Sequence, residues 1–104
     1  MVPGQPLNPE VTVLSSTSVK LTWESPLQPS FSEPITHYKL YYGVVGDTSG
    51  ESDVNVIETQ YAVTGLLKFY EYSFRVVAYN RNGPGASSAR VVCHTYSDGK
   101  KVAL

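Results

Sequence analysis

The stretch Glu71-Tyr-Ser-Phe-Arg-Val-Val-Ala-Tyr-Asn80 decides the fold. Tyr72, Phe74, Val76 and Ala78 share one parity, and Ser73, Arg75, Val77 and Tyr79 the other. A period of two is the repeat of a β-strand, and an apolar set on one parity marks one buried face. The same alternation recurs upstream. Tyr38, Leu40 and Tyr42 alternate with His37, Lys39 and Tyr41, and Val19, Leu21 and Trp23 alternate with Lys20 and Thr22. Apolar faces of this extent do not stay in water, so these sets must face one another across a core.

From these three segments the remaining strands follow by β-branched and aromatic runs between Gly, Pro, Ser and Asn clusters. The expectation is seven strands, near 10–14, 18–24, 35–42, 53–58, 61–64, 71–80 and 88–95. No apolar period of 3.6 is sustained, so helices are not expected. The proline-rich segment 25–34, the glycine-rich segment 43–52 and the segment 80–85 read as connections, with Asn82-Gly83 supplying positive φ in the last. Seven short antiparallel strands with turn signals between them predict a two-sheet sandwich. Residues 1–5 are expected to be a leader or linker, 6–96 the folded domain, and 97–104 a tail or linker.

Composition removes several function classes. The formal net charge of −1 gives no electrostatic footprint for nucleic acid. The apolar runs are far shorter than the ~20 residues of a membrane-spanning helix. No basic-then-apolar leader precedes Pro3, which leaves open whether the parent protein is secreted. A single cysteine, Cys93, allows no intradomain disulfide and no thiolate metal cluster. The core alone must hold the fold.

The motifs Ser18-Val-Lys-Leu-Thr-Trp23 with Pro26, Pro34-Ile-Thr-His-Tyr-Lys-Leu-Tyr-Tyr42, Gly65-Leu66, Tyr72 to Asn80 and Gly83-Pro-Gly85 resemble the fibronectin type III family over about 6–95. The resemblance implies a seven-stranded antiparallel immunoglobulin-like sandwich of all-β class, without enzymatic activity or cofactor. It implies a core of Trp23, Tyr38, Leu40, Leu66, Tyr72, Phe74 and Val76. Tyr72, six residues after Leu66, takes the place of the corner tyrosine whose hydroxyl bonds upstream backbone. Two departures stand out. Pro9 falls where an apolar, pairing-competent residue is usual, so the first strand is expected to start late. Lys68-Phe69-Tyr70 replaces a proline–glycine turn.

Within the family, Glu71-Tyr-Ser-Phe, Ala78-Tyr-Asn and Gly83-Pro-Gly resemble the DCC and neogenin group of axon-guidance receptors. That implies the extracellular part of a single-pass membrane protein, with a netrin or repulsive-guidance type protein ligand and neighbouring immunoglobulin or fibronectin type III domains. The isolated domain is expected to be a monomer. A spacer domain without its own ligand and an intracellular scaffold or muscle-type module are the alternatives.

No reactive constellation emerges. Cys93 and His94 are adjacent, but neighbours on a strand point to opposite faces. On the register that the resemblance implies, Cys93 shares parity with Val91 and Thr95 and is expected inward as a small hydrophobe, with His94 outward. Glu51 and Asp53, like Glu10 and Glu24, read as solvated acids, and Asp47 to Asp53 lacks the ligand spacing of a calcium loop. Arg81-Asn82-Gly83 is a candidate recognition loop, although it lacks the aspartate of an Arg-Gly-Asp motif. Parity collects His37, Lys39, Tyr41, Arg75, Val77, Tyr79, Arg90, Val92 and His94 on one outer face. Tyr and Arg around an apolar centre is the mix enriched at protein interfaces. This is the candidate protein-binding face.

Overall fold

The computed structural model describes residues 1–27, 33–47 and 50–95. Parts of the expected connections 25–34 and 43–52, the end of the domain at residue 96 and the tail 97–104 lie outside the described residues. Among the described residues eight strands form an all-β sandwich: β1 (Leu7–Ser15), β2 (Ser18–Glu24), β3 (His37–Val44), β4 (Ser52–Val56), β5 (Gln60–Val63), β6 (Glu71–Asn80), β7 (Gly83–Ser87) and β8 (Val91–His94). The smaller sheet has the order β1-β2-β5. The larger has the order β4-β3-β6-β7, with β8 also pairing β6. All pairings are antiparallel.

The core is the set of inward parities. Val19, Leu21 and Trp23 from β2 meet Tyr38 and Leu40 from β3 and Tyr72, Phe74, Val76 and Ala78 from β6, all buried. Trp23 and Tyr38 meet edge to face, with centroids 5.6 Å apart and planes at 66°. The indole Nε1 is buried without a hydrogen-bond partner among the described residues. Cys93 packs half-buried against the same core, and burial pushes its thiol pKa up, away from the reactive thiolate.

Two edge strands differ from expectation for identifiable reasons. β1 starts at Leu7, earlier than Pro9 suggested. Its register shifts by one residue between Leu7↔Glu24 and Glu10↔Thr22. Asn8 takes a positive φ of 50° there. The bulge absorbs the proline, and asparagine tolerates the left-handed conformation better than most residues. The expected last strand over 88–95 shortens to β8, and the expected loop 80–85 shrinks to a two-residue turn at Arg81-Asn82, closed by Gly83 at φ 120°, from which the additional strand β7 begins. Ser88 divides β7 from β8. Its Oγ accepts from Val76 N at 3.0 Å, while its own N donates to Val76 O at 2.8 Å. A side chain thus replaces one rung of the ladder, and the strand can break without orphaning a buried amide.

The connection between β5 and β6 is held at many points. Gly65 turns it at φ 72°, and Leu66 N donates to Thr17 O at 2.9 Å. Leu67 N donates to Tyr72 Oη at 2.8 Å. Thr95, 0% exposed, donates from Oγ1 to Leu67 O at 2.7 Å and accepts from Tyr70 N at 3.0 Å. These bonds hold Phe69 at φ 66°, where a glycine is favoured. The left-handed conformation costs a residue of this kind about 1–2 kcal/mol.

Candidate binding face

β3 and β6 place the outer-face residues in rows. The register pairs His37 with Tyr79, Lys39 with Val77, and Tyr41 with Arg75. The first row is a ring stack, with centroids 4.6 Å apart and planes 18° from parallel. Lys39 Nζ lies 5.6 Å from the Tyr79 ring centroid, and the Arg75 guanidinium carbon lies 4.1 Å from that of Tyr41. Each is a cation over an aromatic face, worth about 0.5–1 kcal/mol at an exposed site. A hydrogen bond with Tyr79, then burial, pushes the Tyr41 phenol up to about 12.

Glu51 organises the lower half of the face. Arg75 Nη2 donates to its Oε1 at 2.9 Å and Nε to the same oxygen at 3.3 Å, while Arg90 Nη1 donates to Oε2 at 3.0 Å. Arg90 also donates to Ser73 Oγ at 3.3 Å. The Arg75 hydrogen bond, reinforced by Arg90, holds the Glu51 carboxyl below its ordinary value against the opposing effect of burial. One carboxylate therefore ties the segment before β4 to β6 and to the start of β8. The sequence reading treated Glu51 as a solvated loop acid; in the structure it joins two arginines. Its side of the chain could not be read from alternation, because it precedes the strand.

Val77 requires a second correction. It was expected as the exposed apolar centre of the face, yet it is only 5% exposed. Its register neighbours are Lys39 on β3 and Ser87 on β7, and Arg75 and Tyr79 flank it along β6. With Val77 buried, the face presents rings and charges instead of an apolar centre. His37, Lys39, Tyr41, Arg75 and Tyr79 form one contiguous group, and Arg90 joins it through Glu51. Val92 and His94 lie toward the other end of the face, paired with Ser73 and Glu71. His94 Nδ1 lies 2.8 Å from Thr95 O. Arg81, Asn82 and Gly83 sit at the β6–β7 turn, where Arg81 Nη1 reaches Glu33 Oε1 at 3.8 Å.

Among the described residues no three His, Cys, Asp or Glu side chains converge as a metal site. A shallow groove of about 350 Å³ beside Glu51, lined by Val45, Ser73, Arg90 and Val92 among others, is open to solvent. No described helix is long and apolar enough to cross a membrane.

The family model for the fibronectin type III domain matches residues 4–94, and the chain belongs to that family. Rat neogenin is 47% identical over 97 residues, 93% of this chain and 7% of neogenin. The human netrin receptor DCC is 39% identical over the same share of this chain, 6% of its own length. The FN5 domain of Drosophila Lar superposes with a TM-score of 0.77 at 31% identity, covering 91% of this chain and 98% of that domain. The chain thus corresponds to a small fraction of the curated relatives it matches.

Proposed function

We propose that the chain is a non-catalytic protein-binding module of a cell-surface adhesion or axon-guidance receptor, in its extracellular part, and that it binds through the outer face of β3 and β6. The similarity to neogenin and to the netrin receptor DCC over 93% of the chain carries the setting. The face itself supplies the chemistry. Tyr41 and Tyr79 are rigid rings, each carrying a cation, and Arg-plus-Tyr clusters are where interface energy concentrates. With Lys39 and Arg75 over those rings, the face suits a protein surface bearing carboxylates, and a netrin or repulsive-guidance type ligand is the class to test. Binding of such ligands to the intact chain and to a Tyr41→Glu, Tyr79→Glu variant checks the reading. Loss of at least tenfold in affinity with the fold retained supports it, and unchanged affinity removes the face from consideration.

A spacer without its own ligand is the second reading, and one observation favours it. Arg75 and Arg90 already share Glu51, so the cations best placed to attract a partner are partly neutralised within the domain. A partner must then either accept the face as a nearly neutral surface or break those pairs. The same binding series separates the two readings, because a spacer returns no ligand with either protein.

A further inference from the structure

The segment before β1 does not trail away from the sandwich; it lies against the β6–β7 hairpin. Asn80 Nδ2 donates to Met1 O at 2.7 Å, and Asn82 Nδ2 donates to the same oxygen at 3.1 Å. Asn80 is only 6% exposed, and its Oδ1 accepts from Asn82 N at 2.8 Å, so both ends of its carboxamide are engaged. Further along the segment, Pro3 and Pro6 are buried. At Gly85 the approach is closer still: a Cβ there would run into the Pro3 carbonyl.

Gly85 falls where β7 carries one residue more than β6, between the pairs Tyr79↔Pro84 and Val77↔Ser87. The bulge together with the missing side chain lets the Pro3 main chain approach β7 closely. On its other side the segment meets the start of the β2–β3 connection, where the Cβ direction of Gly4 points at Pro26 Cβ, 3.7 Å away. The contacts are to backbone and to proline rings. The Asn pair reads a carbonyl, and Gly85 admits a main chain.

We infer that Asn80, Asn82 and Gly85 form a recognition slot for an extended, proline-bearing main chain, filled in this structure by residues 1–4 of the chain itself. A proline-bearing segment suits it physically. Proline holds an extended conformation before binding, so little chain entropy is lost, and a residue without an N–H brings one donor fewer to satisfy on seating. The arrangement also fixes how the hairpin tip is used: a partner that engages Asn82 or Gly85 must first displace the segment, and the two occupants compete.

The test uses the full chain. Gly85→Ala puts a methyl group where the Pro3 carbonyl lies, and Pro3→Asp puts a charge into the buried proline position while leaving the slot intact. In both variants the ¹⁵N relaxation of Val2 and Gly4 is expected to become that of a free chain end, and the Asn80 and Asn82 side-chain amide resonances to shift. The β2, β3 and β6 resonances should stay in place. A synthetic peptide of residues 1–6, added to about millimolar concentration to match the effective concentration of a tethered segment, should restore the amide shifts in Pro3→Asp but not in Gly85→Ala. Unchanged relaxation in both variants overturns the seated segment. Equal response of the two variants to the peptide, or none in Pro3→Asp, overturns the slot.

Discussion

The two faces of β6 are built from alternate residues of one strand, yet they are held by different physics. Inward, Tyr72, Phe74, Val76 and Ala78 are buried against apolar neighbours, where removing atoms leaves a cavity. Outward, Arg75 and Tyr79 rest on rings and a carboxylate in partial contact with water, where each pair contributes little and salt weakens it. The inner face therefore sets stability, and the outer face can vary its chemistry at small cost.

The sharpest way to break this contrast is Phe74→Ala, expected to destabilise by about 3–5 kcal/mol in denaturant unfolding; Trp23→Ala should cost a similar amount. Tyr72→Phe comes next. It keeps the ring but leaves Leu67 N without its acceptor, at about 1–3 kcal/mol. A cost indistinguishable from zero would mean that Thr95 alone holds the turn.

On the outer face, Glu51→Gln should cost no more than about 1 kcal/mol, shrinking as salt is raised. A loss as large as that of Phe74→Ala would make the face a second core. The pH dependence has a defined sign. The folded carboxyl lies below its ordinary value of 4.5, so its contribution is present above that value and is lost as pH falls through the folded one. Wild type and Glu51→Gln should therefore converge in stability under acid. The smallest effect is at Tyr41. Its phenol is pushed up to about 12, so the protonated form is favoured in the folded state, and the associated stability is lost as pH rises from about 10 through 12. Comparing phenolate absorbance of wild type with Tyr41→Phe across that range shows whether this ring titrates late.

Alternation made the strands and the sidedness of β2, β3 and β6 legible, because inward or outward direction is a local property of a pleated chain. What alternation does not carry is the identity of the neighbour across the sheet. Ser88 looks like any loop serine until Val76 is found opposite it, and Thr95 looks like a strand end until it is seen to grip Leu67 and Tyr70. Glu51 belongs to the same class, since its partners lie 24 and 39 residues away. Parity sets Val77 in the row of Lys39, yet it is buried where alternation alone predicts exposure. Local pattern fixes direction; packing fixes access.

The interruptions in the outer strands have a consequence for crowding. A sheet ends in unpaired amides and carbonyls that can zip onto a neighbouring chain. Here β1 carries a bulge and Pro9, β7 carries a bulge and Pro84, and Ser88 separates β7 from β8. The remaining borders, β4 and β5, run for only five and four residues. Among the described residues no border offers a long flat run to copy, so the irregularities that mark the strand ends also protect the domain against aggregation.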